Sequence, residues 1–279
     1  MSQINRRRFF DICLAIAVLP GMLLGACTPV EPTPDPCNLT VASASSMLPL
    51  AELVSGSFSS RHPDVRLSVD NARSSEAAIF NVLSGKADLA LTTVQPSYFG
   101  HGDLFSQAIG KEPFFIVVHP GNRQDHLSTS EANALFTGKI GEWSSLGPTD
   151  GPVQVMTRER DTGTRNVLTH ALLKDGTLTP TALVKPGSEL MQQSIAQDPQ
   201  AIGYLAGGWL DPSVKPMTID GMSPEFAFRQ PDQYPLTVPV YLVFPDDHAA
   251  DAATLLAFLR SQEGQKLMRN RFFLVGQQP

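Results

Sequence analysis

A recurring order narrows the fold more than any single residue does: a short apolar or alternating segment, a turn rich in hydroxyls, then a helix. Leu39–Ala42 reads as a strand. Ser43, Ser45 and Ser46 follow, and Pro49 opens a helix whose Leu50, Leu53, Val54 and Phe58 share one face. Val65, Leu67 and Val69 alternate with polar residues, the pattern of a half-buried strand. Asn71–Ser75 then turns, and Ala78, Ile79, Val82 and Leu83 mark a second helix. Ala87–Leu91 is a third strand and ends in Thr92 and Thr93. Alternation of this kind specifies an α/β fold, and open α/β sheets gather their binding groups at the carboxyl ends of strands.

The richest of these junctions is Met156–Leu173. Val153 and Val155 end a strand, and Val167, Leu168, Ala171 and Leu172 recur at helical spacing. Between them lie Thr162, Gly163 and Thr164, flanked by Arg158, Arg160 and Arg165. Free N–H groups at a helix start, hydroxyls, a glycine and guanidinium groups together make a seat for an anion of phosphate size. The same residues also suit a capped helix with solvated arginines, so the junction alone leaves both readings open.

Elsewhere Pro113–Val118 is an apolar run that reads as a buried strand. Ser128–Glu131 is a capping box, and the helix it starts stops at Gly138. Ser188–Ala196 is a helix and Ala201–Leu205 a strand. Leu236–Phe244 is a strand interrupted by Pro239, which places it at an edge or in a crossing segment. Helices at Ala249–Arg260 and Ser261–Asn270 and a short strand at Phe272–Val275 complete the pattern.

The first 27 residues read as an address. Arg6–Arg8 form a basic start, Ile12–Leu24 an apolar stretch too short to span a bilayer, and Leu24-Gly25-Ala26-Cys27 a lipobox with Cys27 as the lipidated residue. Residues 28–38, rich in proline, read as a tether. With Cys13 in the leader and lipid on Cys27, Cys37 stands alone, so neither a disulfide nor a cysteine metal cluster is expected. The net charge of −6 argues against a nucleic-acid partner. An anion site on such a chain has to be built locally.

Several segments in order resemble the phosphate-binding proteins of bacterial ABC importers, the PstS family. Leu135-Phe136-Thr137-Gly138-Lys139-Ile140-Gly141-Glu142-Trp143 is close to the family's F-T-G-K-I-x-x-W. Arg158–Arg165 is similar to R-E-x-G-S-G-T-R, and Ala201–Tyr204 and Tyr234-Pro235-Leu236 also fit. The resemblance implies a two-lobed type II periplasmic-binding-protein fold with two hinge-crossing strands. Its first lobe would be residues 39–114 plus 237–279 and its second 115–236. It also implies ligand contacts from Ser46, the Met47 N–H, Ser75, Thr93, Arg158, Thr162, Gly163 and Thr164. The implied partners are phosphate or a similar oxyanion, an ABC permease with its ATPase, and the membrane through lipid on Cys27. No cofactor and a monomeric, exported, lipid-anchored state are expected.

The chain departs from the family at four positions. Thr93 stands where some members carry an acidic ligand residue, Arg160 where an acidic or polar residue is common, Asp161 where there is a glycine, and Val238 where many have an arginine. These changes imply a more cationic pocket and weaken the basis for telling phosphate from sulfate. An enzyme is a competing class. Against it, the six histidines are scattered without metal-ligand spacing and no G-x-S-x-G elbow is present. A sensing or adhesion protein without a transporter would use the same anion seat.

Overall fold

The computed structural model describes residues 36–269 apart from 175 and 231. The leader, Cys27, most of the tether and the strand expected at Phe272–Val275 lie outside them. In chain order the strands are β1 (Cys37–Ala44), β2 (Val65–Arg73), β3 (Leu89–Thr92), β4 (Phe105–Val118), β5 (His126–Leu127), β6 (Gln154–Thr157), β7 (Leu183–Val184), β8 (Ala201–Ala206), β9 (Lys215–Pro216), β10 (Thr218–Ile219) and β11 (Thr237–Phe244). The helices are α1 (Leu48–Arg61), α2 (Ser75–Leu83), α3 (Thr129–Phe136), α4 (Gly163–Val167), α5 (Ser188–Gln197), α6 (Pro224–Arg229), α7 (Ala249–Arg260) and α8 (Gln262–Arg269). Cys37 and Asn38, assigned to the tether from sequence, are the first residues of β1, paired with Val65 and Arg66.

Two parallel groups are joined by an antiparallel pair. β1 lies between β2 and β3, and β6 between β7 and β8, all in parallel. Parallel neighbours need crossovers, which α1, α2, α4 and α5 supply. β4 and β11 run antiparallel to each other, β11 also pairing with β3 and β4 with β8. The order is therefore β2-β1-β3-β11-β4-β8-β6-β7.

The core divides along that central pair. One cluster holds Phe114–Val118, Leu135, Phe136, Trp143, Ile202, Tyr204 and Val238. Another holds Leu39, Val41, Leu50, Phe58, Leu89, Ile109, Val240, Leu242 and Leu255. A third, on Ala42, Ile79, Val82, Ala90 and Val243, packs α2 on the same sheet. β4 and β11 thus give one half of their length to each side.

β4 is far longer than the apolar run Pro113–Val118 foretells. Its first half is mostly exposed and carries Gly110 and Lys111, so it shows no continuous apolar signal. Pro239 sits where its missing donor costs least. It opposes Lys111 of β4, and β11 meets β3 only from Tyr241 onward. The capping box forms as expected, with Ser128 Oγ accepting from Glu131 N at 3.1 Å and Glu131 Oε2 from Ser128 N at 2.7 Å. After α4 the helix widens into a π-helical stretch, Leu168–Leu173.

Candidate functional site

The carboxyl ends of β1, β3 and β6 feed turns that meet one another. β1 runs into the buried turn Ser45–Met47. At the next junction Ser74 caps α2, accepting from Ala77 N at 3.1 Å, which frees Ser75. Ser75 Oγ accepts from Thr93 N at 3.1 Å and lies 3.3 Å from Thr93 Oγ1. Gly163 reaches the same point. A Cβ built there would stand 2.2 Å from Thr93 Oγ1 and 3.1 Å from the Thr93 carbonyl, so the approach of α4 requires a glycine.

Arg158 follows β6 and is 2% exposed. Its backbone is clamped on both sides. Its N–H donates to the Tyr204 hydroxyl at 2.9 Å, and its carbonyl accepts from Arg165 Nη1 at 2.6 Å. Tyr204 also lies 3.0 Å from Thr157 Oγ1. Burial pushes its phenol up, so it stays a neutral donor and acceptor.

The guanidinium is held by three groups from different elements. Nε donates to Glu159 Oε2 at 2.9 Å, Nη1 to Ser188 Oγ at 2.9 Å and Nη2 to Ser45 Oγ at 3.1 Å. An arginine carries five N–H donors, so one remains on each terminal nitrogen without a partner among the described residues. Ser45 Oγ also accepts from Ser188 N at 3.1 Å, and the Ser45 carbonyl accepts from Trp209 Nε1 at 2.8 Å. Ser45 follows β1, whereas Ser188 opens α5 and Trp209 follows β8. This knot therefore ties the two sides of the core together.

Thr162 stands at the N-cap of α4, but its hydroxyl donates backwards to the Glu159 carbonyl at 3.1 Å, and no side chain caps the helix. The first-turn N–H groups of α4 are left available. Ser46 and Thr164 are buried at 6% and 3% exposure, and neither hydroxyl has a hydrogen-bond partner among the described residues. Met47 is fully buried in the same turn as Ser46. All eight residues expected from sequence are thus buried at these junctions. Ser75 and Gly163 both meet Thr93, and Arg158 reaches across to Ser45.

Sequence reasoning missed Ser45, Ser188 and Trp209. The first two carry the signal used elsewhere, a hydroxyl at a helix start; Trp209 carries none. Arg165 is a correction. Instead of being a solvated arginine, it takes the Arg158 carbonyl and, at 3.3 Å, Thr157 Oγ1. The expected cationic surplus is also smaller than the sequence implies, because Glu159 sits on Arg158 and Arg160 is exposed. Asp161 has φ 64, a left-handed conformation that aspartate tolerates better than most residues. Tyr98 Oη lies 3.3 Å from its Oδ1. Among the described residues no group of three or more His, Cys, Asp and Glu could hold a metal ion.

Residues 29–263 match the PBP superfamily domain. The phosphate-binding protein PstS of Bacillus subtilis is 27% identical over 233 residues, 82% of this chain and 77% of that protein. A Clostridium perfringens structure with bound phosphate, assigned as a phosphate ABC transporter substrate-binding protein, superposes with TM-score 0.75 at 23% identity. It covers 85% of this chain and 99% of that one. An ABC-type phosphate transport receptor from Vibrio cholerae gives TM-score 0.63 at 23% identity over the same shares. At those identities the likeness is one of fold. The domain match covers most of the sequence and agrees with the sheet order and junctions described above: this chain belongs to the PBP superfamily.

Proposed function

We propose that this chain is an extracytoplasmic binding protein that captures inorganic phosphate, or a closely similar tetrahedral oxyanion, and delivers it to an ABC importer from a lipid anchor on Cys27. The observation that carries the reading is the buried Arg158 guanidinium, fixed by Ser45, Ser188 and Glu159 with an N–H to spare on each terminal nitrogen. Such a fork matches two oxygens of one anion. Whereas the Thr162 hydroxyl is spent on the Glu159 carbonyl, Ser46, Thr164, the bonded pair Ser75 and Thr93, and the backbone N–H groups of Met47 and Gly163 add neutral donors. These replace the water an anion loses without adding charge. The residues act as donors to the ligand, and the ligand leaves unchanged.

The names of the PstS relatives and the phosphate-bound Clostridium structure support the choice of anion. On this reading residues 39–114 with 237–279 form one lobe and 115–236 the other, and β4 and β11 are the hinge. The Arg158–Ser45 bond then belongs to the closed arrangement.

Equilibrium dialysis with radiolabelled phosphate, on protein unfolded and refolded to strip bound ligand, tests the role of Arg158. Hydrogen bonds to charged groups are worth about 1.5–3 kcal/mol each, and two are lost in Arg158→Ala. Its affinity is expected to fall by about a hundredfold or more with circular dichroism unchanged. Near-wild-type binding by that variant would contradict this pocket.

A further inference from the structure

Glu112 lies on β4 at the crossing between the two sides of the core, opposite Val238 of β11. It is fully buried. Oε1 accepts from Gly208 N at 3.3 Å, and Oε2 has no partner. Its surroundings offer no counter-charge. Across the register stand Thr237, Val238 and Pro239, with Tyr241 further along β11, and the turn Gly207–Trp209 carries no titratable group. Tyr204 of β8 is engaged with Thr157 and Arg158. Lys111 alternates to the other face of the strand and pairs with Asp232 at 3.0 Å. Glu52 and Arg61 of α1, Glu189 of α5, and Glu225 and Arg229 of α6, the helices packed on that turn or on β4, are exposed. A carboxylate ion is costly in such a place. Burial holds the Glu112 carboxyl well above the ordinary carboxylate range, with the Gly208 N–H pulling the other way.

The turn that contacts Glu112 also holds the anion-site knot. Gly208 is followed by Trp209, whose indole N–H holds the Ser45 carbonyl, and Ser45 Oγ accepts from Arg158.

We propose that Glu112 is a positioning residue that takes up a proton as the turn Gly207–Trp209 closes onto Ser45, so that anion capture and proton uptake are coupled. The inference rests on the proposed capture of an anion between two lobes. When the junction opens, water reaches the carboxyl and it ionises in the ordinary range; when the junction closes, the carboxyl is neutral. The closed state binds the proton more tightly, so closure is favoured at low pH. Its advantage falls by up to about tenfold per pH unit between the ordinary carboxylate pKa and the raised one, and is constant above that.

Titration calorimetry with inorganic phosphate, in buffers of different ionisation enthalpy, counts the protons taken up by wild type and by Glu112→Gln, which mimics the neutral acid. The ligand's own protonation is common to both proteins. Wild type is expected to take up more protons than the variant, and the variant's affinity to weaken less as pH rises. Equal uptake and equal pH slopes overturn the proposal. If the variant fails to fold, infrared difference spectra of wild type decide: a neutral carboxylic-acid band gained on adding phosphate supports the coupling, and no gain overturns it. If wild type binds no phosphate, the functional reading fails on its own, and Trp209 fluorescence against pH takes over. A transition present in wild type and missing in Glu112→Gln supports the link to the turn; superimposable curves overturn it.

Discussion

Arg158 is useful because everything around it is spent on holding it still. The Tyr204 hydroxyl, Glu159, Ser188 and Ser45 fix both its backbone and its guanidinium, so capture of the proposed anion would cost it little freedom. Arg158→Lys keeps the charge and loses the fork. We expect phosphate affinity between that of wild type and Arg158→Ala, measured by the same dialysis. Tyr204→Phe leaves the Arg158 N–H unpartnered in a buried place, at a cost of about 1–3 kcal/mol. A lowered melting temperature checks it. His248 supplies a pH signal far from the site, with Nδ1 2.8 Å from Asp251 and Nε2 3.3 Å from Asp88. The hydrogen bond to Asp251 raises its pKa. Its stabilisation is therefore complete below the unfolded histidine value and is lost as pH rises through the raised one. His248→Gln should lower the melting temperature near about pH 5.5 and leave it unchanged near about pH 9, with a small effect because the ring is partly in solvent. The placement of Arg158 and Ser75 at junctions could be read from sequence because each stands between a strand pattern and a helix pattern. Ser45 could not be told from Ser46, since a turn of adjacent serines does not reveal which one faces the arginine. Glu112 was hidden because one acid beside an apolar run reads as the end of that run.

Helix starts do most of the assembly, and their chemistry was the easiest part to foresee. The capping box at Ser128 stabilises α3 and touches nothing in the site. Ser128→Ala should cost about 1 kcal/mol of stability and leave phosphate affinity unchanged, as thermal melts and dialysis together would reveal. α4 is the opposite case, because its first residue is pressed against Thr93. Gly163→Ala forces that contact apart. We expect about 1–3 kcal/mol of lost stability from overpacking and a clear loss of affinity, since Thr93 and Ser75 move with it. Strand lengths were less legible than helix starts. β4 continues well before Pro113 through mostly exposed residues, and its partner β11, not its own pattern, defines it. The widened helix after α4 left no mark in the apolar spacing, because Leu168 and Leu172 are buried whether or not the turn is a regular one.

Across the molecule, two parallel groups of strands share one antiparallel pair, and the hydroxyl-rich turns face each other where that pair passes between the core clusters. The α/β alternation was visible in the strand–turn–helix order. The crossing was visible only as Pro239 and as a resemblance, because long-range pairing leaves no local period. If β4 and β11 act as the hinge, phosphate should reduce the radius of gyration of the stripped protein in small-angle scattering, and Arg158→Ala should show no such change. Thr93, with Ser75 bonded to it, puts neutral hydroxyls just beyond the end of β3. The most direct measurement is titration calorimetry of the unfolded and refolded protein against phosphate and, separately, sulfate. The account predicts saturable binding of phosphate at one site per chain, with heat that disappears in Arg158→Ala. Absence of any phosphate binding by the folded wild-type protein would contradict it.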